Sequence, residues 1–429
     1  VAPPFAGHLN PLVALGQGLR DRGFDVRFAT GAAALGLLRD LGFGVDPLLA
    51  DRPDALERIA DTAGPVRSNP VRLGRQLAAN LALVPQARGE LAALVARHRP
   101  DLLLADFTAP VAGLVADAAG VPWLTVMPTP FVLETRRGTP AYCGGWGPPR
   151  HAGHRVRDAA GRAATRATKR ALEVGLAGRF RAAGVRVYRA DGSESAYSPT
   201  AILGLGMREL ELPRDWPAHF EMVGPVTATP EPWAAAPALP TGRLVLVTLG
   251  THLRWAKADL VARVRALAAA FPDLTFLVSL GDVTRARPIP HDGGGNVAVF
   301  HHLPYDVVVP RCEAVVHHGG AGITYSAIRA GRPAVVVPHD YDQFDFAARI
   351  AAARAGRVVR RLDPRRVAEA LGLALSLDRG PLDRLAAAAA GYDPVSAVER
   401  AVRRHLGPGT SVARGASSPA APRRGPLAG

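Results

Sequence analysis

The chain has 429 residues, 48% of them hydrophobic and 6% aromatic, a length that predicts more than one compact unit and an apolar share that excludes a disordered chain. Basic side chains number 52 against 37 acidic ones, for a net charge of +15. The two cysteines, Cys143 and Cys312, exclude a disulfide framework and a thiolate metal cluster, and a reducing, cytoplasmic compartment is expected. Only Lys169 and Lys257 are lysines; the arginine bias, beside abundant Ala, Gly and Pro, reads as coding composition as much as function. Val1-Ala2-Pro3-Pro4 reads as the end of a strand, so the chain is expected to start inside its first element, with no secretory leader ahead of it. Asn10-Pro11 before Leu12, Leu15 and Leu19 predicts a helix with Asn10 as cap and Pro11 in its first turn, ended by Gly23. Strands are expected at Val26–Ala29, Leu102–Ala105 (running into Asp106) and Trp123–Val126, the alternation that builds a parallel sheet covered on both faces.

From Glu134 to about Arg179 this alternation gives way to Gly/Pro loops and a basic helix, read as an insertion into the first domain or its edge. Cys143, His151 and His154 fall there, but three scattered candidates on a Gly/Pro loop make a poor metal site. A Pro/Ala-rich linker over 226–242 separates a first domain, 1–225, from a second, 243–390. The second opens on Leu244–Val247 and continues with a helix over 257–270 and strands Thr275–Val278, Val297–Val299, Ala314–Val316 and Ala334–Val337. A final helix over 391–406 is placed as crossing back to the first domain, and 407–429 reads as a disordered tail. No run reaches the ~18 apolar residues of a membrane span.

Four segments of the second half fall at strand carboxyl ends, where ligands of doubly wound sheets bind. They are Thr248-Leu249-Gly250-Thr251, Phe300 to Pro304, His317-His318-Gly319-Gly320-Ala321-Gly322, and Pro338 to Gln343. The glycine turn leads from a strand into a helix, so its backbone N–H groups and the helix N-terminus suit a phosphate, although its spacing is neither a dinucleotide fingerprint nor a Walker A loop.

Together with Gly7-His8-Leu9-Asn10-Pro11, these segments resemble the nucleotide-sugar-dependent glycosyltransferases of the GT-B architecture, the family of plant UDP-sugar transferases and bacterial antibiotic glycosyltransferases. The resemblance covers roughly residues 1–405 and is most specific from His317 to Gln343. It implies two Rossmann-like α/β domains facing across a cleft. It also implies that His318, Thr251, Thr324 and the turn of Gly319, Gly320, Ala321 and Gly322 hold the donor diphosphate, with His317 bracing that turn. His302 and the backbone of Leu303 would face the nucleobase, and Asp342 and Gln343 the sugar hydroxyls. His8, in the turn before the first helix, would be the general base and Asp106 its partner carboxylate. Ser326 stands where many UDP-sugar members carry a ribose-gripping Glu, which points to a dTDP-deoxysugar over a UDP-sugar. His302 stands where plant members have Trp.

The expected activity is an inverting, metal-independent transfer of a sugar to a hydroxyl of a small natural-product acceptor, with no cofactor, nucleic-acid partner or membrane insertion. Phe107, Met127, Phe131, Tyr142 and Trp146 are candidates for lining the acceptor pocket. Other classes stay open on the residues alone: a nucleotide-sugar epimerase of the same architecture, a non-catalytic partner of another transferase, and a nucleic-acid binder. The last is disfavoured because the arginines are dispersed and not interleaved with aromatics.

Overall fold

The computed structural model describes residues 1–66, 69–228, 230, 238–282, 291–292 and 295–406. Part of the expected linker, 229 and 231–237, and the whole tail, 407–429, lie outside the described residues.

In the first half, strands β1 (Arg27–Thr30) and β2 (Gly44–Pro47) pair in parallel, and β3 (Leu103–Asp106), β4 (Trp123–Met127), β5 (Ile202–Gly204) and β6 (Phe220–Met222) form a second parallel set in that order. Val1 and Ala2 run between the two sets. The Ala2 N–H donates to the Ala29 carbonyl at 3.3 Å, and the Asp106 N–H donates to the Val1 carbonyl at 2.9 Å. This brings Pro3, Phe5 and the following helix to the carboxyl end of β3, where Asp106 ends the strand.

That helix spans Ala6–Arg20 and begins four residues before the expected cap at Asn10. The His8 and Leu9 N–H groups both reach the Phe5 carbonyl, at 2.9 and 2.7 Å, so Gly7 and His8 belong to the first helical turn and not to a preceding loop. Pro11 sits inside the helix, where it forgoes one hydrogen bond to the carbonyl four residues back; the buried stripe of Leu9, Leu12, Val13, Leu15 and Leu19 offsets that loss. Gly23, at φ 87°, donates to the Arg20 carbonyl and closes the helix.

The second half holds one sheet of seven strands: β7 (Arg243–Thr248), β8 (Leu274–Ser279), β9 (His291–Asp292), β10 (Val297–Phe300), β11 (Cys312–His317), β12 (Ala334–Val336) and β13 (Gly356–Val358). Their spatial order is β13-β12-β11-β7-β8-β10-β9, parallel except for β9. The reversal of order about β7 and β11 makes a topological switch point, so the loops after β7 and β11 open into one crevice. Leu244, Val245, Leu246 and Val247 are all buried, the near-continuous apolar run of a sheet covered on both faces.

The two halves share a core. Phe131, Met127, Met207 and Met222 of the first pack with Tyr325, Phe346 and Ile350 of the second. Within it, Arg349 pairs with Glu211 at 2.9 Å, both side chains nearly inaccessible, and its guanidinium lies 3.9 Å from the Phe131 ring centroid. The last helix, Pro394–His405, packs Ala397, Val398, Ala401 and Val402 against the Ala6–Arg20 helix, and Glu399 pairs with Arg22 at 2.9 Å. The long helices Pro70–His98 and Ala152–Gly175 cover the first half; the latter buries only Asp158 and Gly161, so most of its arginine-rich surface is solvated. Among the described residues no helix is long and apolar enough to cross a membrane.

Candidate active site

A cavity of about 890 Å³ runs between the two halves, walled by the carboxyl ends of both parallel sheets. On one side stands His8. Its Nδ1 lies 3.1 Å from Oδ1 and 3.2 Å from Oδ2 of Asp106, a carboxylate that is 1% exposed and also accepts hydrogen bonds from the Thr108 N–H and hydroxyl. Phe107 stacks on the imidazole with ring centroids 5.4 Å apart. Burial by itself lowers the imidazole pKa, but the charge and hydrogen bond of Asp106, with the charge of Asp342 from across the cleft, outweigh it and leave His8 above its ordinary value. The result is a histidine held at one nitrogen by a buried carboxylate, the arrangement that fixes a tautomer and stabilises the ring once it is protonated.

Facing it is the turn after β11. Gly319, at φ 94°, gives its N–H to Nδ1 of the fully buried His317 at 3.0 Å, so His317 braces the turn from beneath. His318 occupies space that two glycines leave open. A Cβ at Gly250 would stand 2.7 Å from its Cε1, and one at Gly320 would stand 2.5 Å from its Nε2. Burial, reinforced by His317, His339 and Lys257, holds His318 well below the usual histidine pKa, so it is a neutral ring able to donate one N–H. The helix Ala321–Arg329 starts directly after, with Gly320 as N-cap, and points its first turn into the cavity.

The remaining walls are set by neighbouring loops. Lys257 donates to the Gly250 and Leu280 carbonyls at 2.6 and 2.8 Å and ties the loops after β7 and β8 together. His302 lines the cavity with a pKa pushed down to about 4 by burial, which makes it a neutral, flat ring. Asp342 is raised to about 6 by burial and by Asp345. The Gln343 Oε1 accepts from the His339 and Asp340 N–H groups at 2.8 and 3.1 Å, so its carbonyl is committed to the turn and its NH₂ remains for a ligand. Asp340 is fully buried and accepts the Val66 N–H across the cleft at 2.5 Å.

Of the residues singled out in the sequence, His8, Asp106, Thr251, His302, His318, Gly320, Ala321, Gly322, Ser326, Asp342 and Gln343 come together at this cavity; all line it except Asp106, which stands behind His8. Several others do not reach it. Thr324 is completely buried because residues three and four apart share a helix face: Gly322, Tyr325 and Ser326 turn to the cavity and Thr324 turns away. Gly319 packs beneath the turn, where a Cβ would meet the Gln343 carbonyl at 2.9 Å. Leu303 is buried and its N–H is taken by the Ser279 hydroxyl at 3.2 Å. Among the acceptor candidates Phe107 and Tyr142 line the cavity. Met127 and Phe131 belong to the shared core, and Trp146 packs under the Arg157 guanidinium beside Gly161, so none of these three is available to a ligand there. Cys143 turns toward Thr165, the His151 and His154 rings pack tilted against each other, and among the described residues no cluster suited to a metal ion forms.

Reading the sequence missed His252, which packs edge-on against Phe5 at 5.1 Å from the opposite half, and Lys257, whose signal was its being one of two lysines. It also missed Tyr142's backbone at φ 60°, held by its N–H bond to Asp345 at 2.9 Å.

Comparison with known proteins bears on the fold. Residues 280–390 match the family model described as the erythromycin biosynthesis protein CIII-like, C-terminal domain. The chain is 28% identical over 370 residues to 4'-demethylrebeccamycin synthase of Lentzea aerocolonigenes, covering 82% of this chain and 85% of that protein. It is 29% identical over 354 residues to the elloramycin glycosyltransferase of Streptomyces olivaceus, covering 79% of each. The chain has the GT-B fold, and along most of its length it is similar to these two biosynthetic enzymes. This fold superposes on a Streptomyces sp. SF2575 glycosyltransferase complexed with thymidine diphosphate, with a TM-score of 0.62 at 22% identity over 94% of this chain and 98% of that one.

Proposed function

We propose that this chain is a glycosyltransferase that moves a sugar from a dTDP-deoxysugar to a hydroxyl of an apolar natural-product acceptor, with inversion at the anomeric carbon and without a metal ion. One observation carries the reading: a carboxylate-held histidine, His8, opens onto the same cavity as the His318–Gly322 turn and its helix N-terminus. His8 takes the acceptor proton on the nitrogen not held by Asp106. The acceptor oxygen attacks the anomeric carbon from the face opposite the diphosphate, and the bond from that carbon to the phosphate oxygen breaks as the new one forms. The departing dTDP carries its negative charge to the helix N-terminus, the backbone N–H groups of the turn and the His318 N–H. Asp106 stabilises the imidazolium formed on His8.

The deoxysugar preference is supported by Ser326, whose buried hydroxyl lines the cavity without a protein partner, and by the thymidine diphosphate bound in the similar SF2575 structure. Two unpaired cysteines suit work in a reducing cytoplasm. The test is incubation with a dTDP-sugar and a set of hydroxylated polycycles, followed by mass spectrometry and the anomeric proton coupling of the product. An acceptor-dependent glycoside of inverted configuration is expected. An isomerised donor formed without any acceptor would instead identify an epimerase.

A further inference from the structure

Lysine is nearly absent from this chain: arginine supplies all but two of its 52 basic side chains. One of the two exceptions lines the cavity, and the other braces the loops beside it. Lys257 clamps the loops after β7 and β8, and Lys169 lines the cavity in the first half. A composition that favours arginine so strongly makes the two retained ammonium groups informative, because the groups differ in geometry. A guanidinium is a planar fork, whereas an ammonium is compact and sends three donors in diverging directions.

Lys169 uses two of the three. Its Nζ lies 2.6 Å from Glu194 Oε1 and 2.8 Å from Glu134 Oε1. Both carboxylates are otherwise engaged: Glu194 accepts the Glu134 N–H at 2.9 Å, and Glu134 accepts Arg166 at 3.1 Å and the Tyr188 hydroxyl at 2.7 Å. Two cations and two anions leave the cluster neutral, so it does not call for a charged ligand. The wall on this side is largely apolar, with Leu77, Leu81, Val84, Leu172, Phe180 and Val187 among its residues. Arg186, on the same stretch, also lines the cavity, with its side chain exposed to solvent. A bare ion pair facing such a chamber costs desolvation, which a ligand atom able to accept the third N–H offsets.

We propose that Lys169 recognises a second oxygen of the acceptor, a ring carbonyl or ester carbonyl other than the reacting hydroxyl, and so selects rigid apolar acceptors that carry one. This rests on the glycosyltransferase reading of the same cavity. Lys169 touches no reacting atom in this role; its two carboxylate partners aim it, and its free N–H sets which acceptors dock.

The test uses two flat probes of the same outline, 2-hydroxyanthraquinone and 2-hydroxyanthracene, titrated by fluorescence into the full chain saturated with dTDP. The wild type should bind the quinone at least several-fold more tightly than the anthracenol. Lys169→Met should weaken the quinone by about tenfold, the scale of one hydrogen bond to a charged group, and leave the anthracenol and dTDP affinities unchanged. Should Lys169→Met fail to fold, as read by lost dTDP binding, Lys169→Arg carries the comparison. It keeps both ion pairs and withdraws the compact third donor, and the quinone preference should fall again. Equal weakening of both probes, no preference in the wild type, or no binding of either probe would overturn the proposal. Lost dTDP binding in a wild type that still discriminates the probes would count against the donor reading alone.

Discussion

Gly250 makes the space that His318 fills: a methyl group there would stand 2.7 Å from Cε1 of the imidazole, and the Gly250 backbone sits at φ 72°, where side chains are strained. Relief of that contact requires the imidazole or the Gly250 backbone to shift from its place. Gly250→Ala should therefore weaken dTDP binding much as His318→Ala does, by about 1.5–3 kcal/mol if one hydrogen bond to a charged phosphate is lost. Isothermal titration of dTDP into both variants checks this. Wild-type affinity in His318→Ala would place the diphosphate elsewhere.

Asp342 is raised to about 6 by burial and by Asp345, with Asp340 adding and His8 opposing. As an acceptor for sugar hydroxyls it works best ionised, so binding of a complete dTDP-sugar should strengthen as pH rises from 5 to 7. Asp342→Asn should flatten that dependence, measured with the dTDP-sugar, whose diphosphate diester does not itself titrate over this range. For folding the sign is opposite. A carboxyl whose folded pKa exceeds its unfolded value stabilises the fold fully below the unfolded pKa, and loses that contribution as pH rises through about 6. Asp342→Asn should remove this loss as well, measured as Tm against pH.

Much of the fold is legible in the sequence because the strands of both halves are short β-branched and leucine runs, and the glycine turn after Val316 has few other uses. What was not legible depends on partners far along the chain. Pro11 suggested a helix start, yet the helix begins at Ala6 because Val1 and Ala2 are pinned between β1 and β3. Phe131 and Met127 look like pocket residues until Phe346 and Tyr325 arrive from the other half and bury them. Thr324 and Ser326 are equally plausible donor contacts in one dimension, and the rotation of a single helix separates them. Gly320, Gly322 and His318, whose backbone or ring the pattern singles out, all line the cavity.

Activity should survive chelation. The Asp340-Tyr341-Asp342 run has the look of a metal motif, but Asp340 is buried and bonded to the Val66 N–H and the Tyr341 N–H. The end of the cavity at the His318–Gly322 turn offers a helix N-terminus and neutral N–H donors in place of carboxylates. Turnover measured in EDTA should match turnover without it; loss in EDTA and recovery with Mg²⁺ or Mn²⁺ would contradict this account.

The nucleotide preference rests on Ser326. Its short side chain offers nothing strong to a ribose 2′-hydroxyl, so dTDP should bind at least as tightly as UDP, and Ser326→Glu should shift the ratio toward UDP. Calorimetry with both nucleotides decides it: a wild type that binds UDP about tenfold more tightly, a gap of about 1.4 kcal/mol, would reverse the donor assignment.

The central claim is that His8, held by Asp106, removes the acceptor proton in the cavity that also holds the donor diphosphate. Because His8 is held above the ordinary histidine pKa, the acid limb of the rate should lie above pH 6.5, with the rate falling as pH drops through it. Asp106→Asn, which removes the charge that raises it, should move that limb to lower pH and slow transfer less than loss of His8 does. The most direct measurement is the single-turnover rate of sugar transfer from a saturating dTDP-sugar by wild type and His8→Ala. The account predicts a fall of about 10²–10⁴-fold with the dTDP dissociation constant unchanged; transfer by His8→Ala at a rate near that of the wild type would contradict it.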